Sequence, residues 1–400
     1  MISDGSSNGG GPGGDGNPDG GPLGDGDLDG DAASDAPDTD DASARPAGTH
    51  LTAGERHACA LVHGGVRCWG SNSAGELGNN TIENSNVPVT PQGLTDVVGI
   101  TAGGIHTCAL HGSGKMSCWG GNFAGELGNG QSGTFSRVPV EVPGMTDVTA
   151  VAAGGAHTCA LHRDGTVSCW GENRTGQLGT GDFEGTTKPK LVPKVNDATA
   201  LATGTSHTCV IRKGGAMSCW GLNTDGEVGN PAAIGVTNVP TDVLEIHDAI
   251  ALATGDDHTC MVHENDGGGV SCWGDNENSE LANGNRFSAF KPTTALGVTD
   301  AVLVTAGLQH TCILHGDTSV ACWGDDTHGQ VGNGIVTPIV SSPTRVPGVF
   351  HARAVVAGDV FSCALLQGDA VLCWGQNDVG ELGNGKTGGN TATPVSVTNL

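Results

Sequence analysis

The chain has 400 residues and a formal net charge of −26, with 69 glycines, 14 cysteines and no tyrosine. A chain this acidic is repelled by nucleic-acid phosphates and anionic lipid surfaces, so we expect no nucleic-acid partner. No apolar run approaches the roughly 18 residues that a membrane-spanning helix needs, so we expect no membrane insertion.

Residues 1–48 consist mainly of Gly, Asp, Pro, Ser and Ala, and they carry −10 of the total charge. They have too little apolar area to offset the entropy of ordering, so we predict a disordered, self-repelling acidic linker. Its segment Asp25–Asp31 (DGDLDGD) matches the first half of a calcium-binding loop, but the twelfth position is Ala36 instead of Glu. We therefore favour a linker without a calcium site, and weak calcium binding remains an alternative.

From residue 49 to residue 400 one unit is repeated seven times, with Cys-Trp-Gly tryptophans at 69, 119, 170, 220, 273, 323 and 374. Each unit has an apolar run ending in glycine, then His-Thr-Cys-Ala-Leu, a turn, Val-Ser-Cys-Trp-Gly, Asn-x-x-Gly-Glu-Leu-Gly and a variable segment. Short β-favouring runs bounded by Gly, Asn or Asp predict strands, and no stretch has a helical period. The pattern predicts an all-β fold, a seven-bladed β-propeller over residues 49–400.

The two ends of the repeat region predict how the ring closes. The last unit stops at TPVSVTNL, and the apolar run THLTAG at residues 49–54 has no unit before it. We expect residues 49–54 to complete the seventh blade, because such closure removes open sheet edges.

The cysteine spacing predicts a hairpin in each unit. If Cys159 faces Cys169, Arg163–Gly165 is a three-residue loop with glycine where a positive φ is needed. The same register gives a two-residue loop, His63–Gly64, in the first unit and a five-residue loop, Glu264–Gly268, in the fifth. Length changes therefore fall in the turn, and the cysteines stay opposite each other.

Three interpretations of the cysteines remain open: disulfides, reduced thiols that serve as small core side chains, and metal ligands. We favour disulfides, because the cysteine count is even and every cysteine has a facing partner. The predicted pairs are Cys59–Cys68, Cys108–Cys118, Cys159–Cys169, Cys209–Cys219, Cys260–Cys272, Cys312–Cys322 and Cys363–Cys373.

The seventh unit argues against metal. It keeps both cysteines but has Phe361 where the other six units have histidine. A ligand set is not expected to lose one member in this way, so we expect no metal site and no cofactor. The repeated tryptophans are expected to pack between blades, and the repeated Asn (Asp326 in the sixth unit) to satisfy turn backbone.

The segment Ala153–Gly181, with A-G-G-x-H-T-C-A-L and D-G-x-V-x-C-W-G-x-N-x-x-G-Q-L-G-x-G, resembles the repeat of the regulator of chromosome condensation family. The resemblance covers residues 49–400 and implies a seven-bladed propeller. It implies no single function, because members include a chromatin-bound nucleotide-exchange factor for a small GTPase, a plant ultraviolet-B photoreceptor and a secreted bacterial β-lactamase inhibitor. This chain differs by placing cysteine at two apolar positions of every unit, which argues against nuclear and cytosolic roles.

These observations favour a non-enzymatic, monomeric binding scaffold for a protein partner of unknown identity, since no Ser-His-Asp set or phosphate-binding loop stands out from the repeat. Candidate anchors are the aromatic residues of the variable segments, because exposed aromatics are typical of interfaces. Partial burial between blades is the alternative for them. These residues are Phe135, Phe183, Phe287 and Phe290. The alternative function is guanine-nucleotide exchange on a small GTPase, implied by the family resemblance.

The cysteines predict a secreted or envelope-displayed protein of a bacterium, because disulfides persist in oxidising compartments. No signal peptide is visible at the N-terminus. We therefore expect that the start has been placed inside the linker and that the N-terminus is truncated.

Overall fold

The computed structural model describes residues 50–400, so the predicted linker over residues 1–48, with its segment Asp25–Asp31, lies outside the described residues. Residues 50–400 form seven four-stranded antiparallel sheets and no helix. The predicted all-β seven-bladed propeller is therefore confirmed. Within this part of the chain, no helix could cross a membrane.

Each blade is built from four consecutive strands, here termed a, b, c and d in chain order, and neighbouring strands in this order are hydrogen-bonded. The strands are β1 (Leu51–Ala53), β2 (His57–Val62), β3 (Gly65–Gly70), β4 (Ser85–Val89), β5 (Val97–Ala102), β6 (His106–His111), β7 (Met116–Asn122), β8 (Thr134–Glu141), β9 (Val148–Ala153), β10 (His157–His162), β11 (Thr166–Gly171), β12 (Thr186–Asn196), β13 (Ala198–Thr203), β14 (His207–Arg212), β15 (Ala216–Asn223), β16 (Gly235–His247), β17 (Ala249–Thr254), β18 (His258–His263), β19 (Val270–Gly274), β20 (Ala289–Thr294), β21 (Ala301–Ala306), β22 (His310–His315), β23 (Val320–Asp325), β24 (Ile339–Arg345), β25 (Ala352–Ala357), β26 (Phe361–Leu366), β27 (Val371–Gly375) and β28 (Thr391–Ser396).

The b–c hairpins have the register that the cysteine spacing predicts. In the third blade Cys159 lies opposite Cys169, and Gly165 in the connecting loop has a φ of 83°. In the first blade Val62 pairs with Gly65 around a two-residue turn, and both turn residues, His63 and Gly64, have positive φ. Such a turn matches the right-handed twist of the flanking strands.

All fourteen cysteines form disulfides in these hairpins, in the seven pairs named above. The Cα atoms of Cys159 and Cys169 are 4.1 Å apart, which is the close spacing of a non-hydrogen-bonded pair. Every cysteine is fully buried, so each disulfide is part of the core of its blade.

The core lies between blades, as the repeated tryptophan shows. Trp170 of the third blade packs against Leu127, Met116 and the Cys108–Cys118 pair of the second blade. The a strands of neighbouring blades contact one another around the central axis, so they are the inner strands. The prediction that the tryptophans pack between blades is confirmed.

The prediction that residues 49–54 complete the seventh blade is wrong. Leu51–Ala53 pairs with His57–Val62 as the inner strand of the first blade, and the seventh blade has its own inner strand, Ala352–Ala357. The connection from β1 to β2 is too short to reach another sheet, and the seventh blade has no vacant position. The ring closes instead through contacts between whole blades, such as the hydrogen bond from Asp359 N to Glu55 O (3.3 Å).

Candidate functional site

The propeller has two unlike faces, which the hairpin register defines. His57 at the start of strand b lies opposite Gly70 at the end of strand c, so the a–b turns and the c–d loops emerge together. We call this side the loop face. The b–c hairpins and the d–a connections emerge on the opposite side, which we call the hairpin face.

A repeated asparagine fixes the base of each c–d loop. In the third blade Asn173 accepts a hydrogen bond from Leu178 N (3.0 Å) and donates to the carbonyl oxygens of Asp182 (3.0 Å) and Glu184 (3.1 Å). In the sixth blade the carboxylate of Asp326 accepts from the corresponding amide (3.1 Å). The predicted role of this residue is confirmed, and the variable loop tips stand on rigid bases.

The repeated histidines join neighbouring blades. His106 lies with its Nε2 2.8 Å from Thr158 Oγ1, and Thr158 donates its own hydroxyl hydrogen to the carbonyl oxygen of Glu126 (2.8 Å). Nε2 must therefore be the donor, and Trp170 Nε1 donates to the same carbonyl (2.8 Å). The other five links are His57–Thr107, His157–Thr208, His207–Thr259, His258–Thr311 and His310–Ser362.

These histidines are neutral and structural. Burial lowers the pKa of His106 to about 3 and the pKa of His57 to about 4. Each histidine Nε2 forms a hydrogen bond between blades, whereas the cysteines are bonded to each other within a blade. The histidines therefore join neighbouring blades, and the cysteines join strands b and c of one blade. Within residues 50–400 no group of three or more His, Cys, Asp or Glu side chains is arranged to hold a metal ion.

The axial opening on the loop face is small and acidic. Its cavity of about 90 Å³ is lined by glycines of all seven a–b turns and by the side chains of Glu55, Asp256 and Asp359. Burial, followed by the charges of Glu55 and Asp256, raises the pKa of Asp359 to about 7. The volume is well below the roughly 300 Å³ at which small-molecule pockets begin, so the opening suits at most a single side chain.

Three of the four predicted anchor residues are exposed on the loop face. Phe135, Phe183 and Phe287 project from the start of strand d or from c–d loops, and Phe287 is 80% exposed. Phe290 is half-buried, and its backbone lies against the turn at Gly226 of the fourth blade. The structure therefore places Phe290 in a blade contact instead of on the open surface.

Sequence reasoning missed five further exposed apolar residues of the same loops. They are Ile82, Phe123, Ile234, Ile335 and Val336. They lie in the same variable segment as the predicted phenylalanines, between Cys-Trp-Gly and strand d. They would have been found if every large apolar residue of that segment had been considered, because the sequence analysis considered only phenylalanines.

The hairpin face contains Ser-His-Asp chains that sequence analysis did not identify. Asp147 accepts from Nδ1 of His162 (2.9 Å), and Nε2 of His162 lies 2.9 Å from Ser168 Oγ. The fifth blade has the same arrangement in Asp248, His263 and Ser271.

These chains fasten a d–a connection to the neighbouring hairpin. Ser168 pairs with Ala160 next to the non-hydrogen-bonded cysteine pair, so its backbone N–H bonds within the sheet. It therefore cannot act as an oxyanion donor. In the sixth blade Ala321 replaces the serine, while His315 still contacts Asp300 (2.6 Å). The absence of enzymatic activity stays a prediction.

Comparison with known proteins gives one consistent family. The model of the RCC1-like domain matches residues 15–302, and the model of the regulator of chromosome condensation (RCC1) repeat matches residues 301–330 and 352–381. The ultraviolet-B receptor UVR8 of Arabidopsis thaliana is 30% identical over 145 residues, 35% of this chain and 33% of the receptor. The E3 ubiquitin-protein ligase HERC2 of Mus musculus is 26% identical over 366 residues, 86% of this chain and 6% of the ligase.

Solved structures show the same fold. Yeast RCC1 (Prp20) bound to Kap60 superimposes with a TM-score of 0.75 at 22% identity, covering 84% of each chain. Human WBSCR16 gives a TM-score of 0.74 at 21% identity, covering 83% of this chain and 93% of that one. The chain spans a third or less of the two curated relatives named above.

Proposed function

Because the chain belongs to the RCC1-like domain family, whose fold displays seven sets of variable loops, we propose that it is a non-enzymatic scaffold that binds a protein partner through its loop face. The observation that carries this proposal is that the buried contacts between blades are repeated, whereas the c–d loops differ in sequence from blade to blade. The frame repeats the same buried Trp, His and Cys contacts, whereas the c–d loops expose apolar side chains such as Phe183 and Phe287. Exposed apolar groups on rigid loops are typical anchors of protein interfaces.

We further propose that the protein functions outside the reducing cytosol, secreted or displayed on a bacterial cell envelope. The disulfides support this proposal. Seven disulfides lie inside the blades, and such bonds persist in oxidising compartments. Guanine-nucleotide exchange on a small GTPase is the alternative by family analogy, and it requires a reducing compartment that these cysteines argue against.

The compartment is tested by alkylating the protein from its native source before and after reduction and measuring its intact mass. We expect no alkylated cysteine before reduction and fourteen after it. Fourteen alkylated cysteines before reduction would contradict secretion and return nucleotide exchange to consideration.

The binding face is tested with a photo-crosslinking residue placed singly at Phe183 and at Phe350. Phe183 lies on the loop face, and Phe350 is a matched control because it is 64% exposed on the hairpin face. In the native extracellular or envelope fraction we expect a discrete crosslinked product from Phe183 only. A product from Phe350 alone would overturn the assignment of the binding face.

A further inference from the structure

The two most exposed apolar side chains of the loop face lie on neighbouring blades. Phe287 of the fifth blade (80%) and Ile234 of the fourth blade (72%) are the most exposed large apolar side chains of residues 50–400. Both lie in c–d loops, and the fourth-blade loop packs at Gly226 against Ala289 at the start of strand d in the fifth blade.

Three carboxyl groups lie near Phe287, at the seam between the fourth and fifth blades. Ser288, which follows Phe287, has its Oγ 3.4 Å from Asp225 Oδ1 of the fourth blade and 3.4 Å from Asp275 Oδ1 of the fifth. Asp257 O accepts a hydrogen bond from Asp275 N (2.7 Å). Burial and the neighbouring carboxylates Asp256, Glu227, Asp225 and Asp275 raise the pKa of Asp257 to about 7.

No basic side chain of the described residues forms an ion pair with these carboxylates. Some other acidic groups are paired, as in Arg56–Glu381 (2.9 Å) and Arg212–Asp197 (2.8 Å). The nearby Arg286 instead directs its guanidinium to the carbonyl oxygen of Glu277. We call Asp225, Asp257, Asp275 and Phe287 the blade 4–5 patch.

We propose that the blade 4–5 patch binds a protein segment presenting a lysine or arginine beside apolar side chains, an inference that rests on the proposed function. A cation placed there gains from the carboxylates of Asp225 and Asp275 and favours ionisation of Asp257, while an apolar neighbour covers Phe287. Other occupants are disfavoured by charge. Residues 1–48 carry a net −10, and a second copy would bring the same carboxylates together.

The test uses three labelled synthetic peptides in fluorescence anisotropy. One alternates Lys with Leu and Phe, one replaces Lys by Glu, and one replaces Leu and Phe by Ser. We expect the basic apolar peptide to bind more tightly than both others, with an affinity that falls as salt rises. Equal binding of the acidic apolar peptide would overturn the proposal.

Surface variants locate the binding. Phe287→Ser and Asp257→Asn are each expected to weaken the basic apolar peptide about tenfold. Phe350→Ser and Glu264→Gln remove the same kinds of group from exposed positions on the hairpin face and are expected to leave it unchanged. Equal effects of patch and control variants would show unspecific attraction to an acidic protein and overturn the proposal. Asp275→Asn provides a further patch variant if Phe287→Ser fails to fold.

The same variants separate this inference from the proposed function. If the native partner crosslinks to Phe183 but Phe287→Ser and Asp257→Asn leave both partner and peptide binding unchanged, the loop face is correct and the patch is wrong. If the partner crosslinks at Phe350 alone, the proposed binding face is wrong, and the patch is rejected with it.

Discussion

Phe361 and Ala58 share one apolar cluster at the seam between the seventh and first blades, where the other six seams join a histidine to a hydroxyl. The two substitutions are matched, since a histidine facing Ala58 would lack an acceptor and a threonine facing Phe361 would lack its donor. Beside them Arg56 pairs with Glu381 (2.9 Å). The closing seam is therefore chemically distinct from the other six.

This relationship predicts coupling between the two positions. Phe361→His should cost about 2–4 kcal/mol of unfolding free energy, because it removes a buried aromatic ring and buries a polar atom without a partner. The double variant Phe361→His/Ala58→Thr should recover part of that loss by forming the link found at the other seams. Denaturant unfolding of the four proteins measures the coupling.

The matched control exchanges a polar link for the apolar pair at another seam, with His57→Phe and Thr107→Ala. The losses of unfolding free energy in the two single variants should add up to more than the loss in the double variant. Strict additivity at both seams would show that the links do not act as pairs.

The comparison of sequence with structure shows which features a repeat encodes locally. The register of Cys159 with Cys169 and the two-residue turn after Val62 followed from residues within one hairpin. The blade to which residues 49–54 belong could not be predicted in this way, because a periodic sequence does not define where one unit ends and the next begins. Only the observed pairing of Leu51 with Ala60 fixes that choice.

The candidate site was predictable only in part. Phe183 and Phe287 were found because aromatic residues are conspicuous in a chain with 4% of them. Ile234 was missed because an isolated aliphatic residue in a loop gives no signal of its exposure. The blade 4–5 carboxylates come from three separate loops, and their proximity depends on how neighbouring blades pack.

The six buried histidines predict a contribution to stability that is lost at acid pH. Burial lowers the pKa of His57, His106, His157, His207, His258 and His310 to about 3–4, below the value of about 6.5 in an unfolded chain. The unfolded state then binds more protons, so their stabilisation is complete above pH 6.5 and is lost as the pH falls towards the folded values. Each histidine contributes about 1.4 kcal/mol of loss per pH unit in this window.

Raised carboxyl pKa values oppose this trend in the same window. Asp257, Glu280 and Asp359 have pKa values of about 7, so the folded state gains stability from their protonation as the pH falls. Burial also raises the pKa of five further carboxyl groups, those of Glu55, Glu76, Glu126, Glu227 and Asp326, so single histidine variants are needed to isolate the histidine contribution. His157→Gln should flatten the dependence of unfolding free energy on pH, and the exposed His247→Gln should leave it unchanged.

Disulfide reduction should require unfolding of a blade. All fourteen cysteines have no exposed surface, so a reductant reaches them only when a hairpin opens. Under native conditions we expect slow alkylation after addition of reductant, accelerating as denaturant approaches the unfolding midpoint. Rapid reduction of all pairs without denaturant would contradict the burial.

The inner glycine ring should not tolerate a side chain. A Cβ on Gly154 would lie 2.4 Å from the carbonyl oxygen of Gly204 in the next blade and 2.5 Å from the ring of His157. Because the nearest atom is backbone in a closed ring, relief requires two blades to separate, and Gly154→Ala should cost more than about 2 kcal/mol. Gly316→Ala is the matched control, since its nearest neighbour is 3.6 Å away and its φ is not positive. We expect that change to be neutral or slightly stabilising in thermal unfolding, and comparable losses for both would contradict the packing of the axial ring.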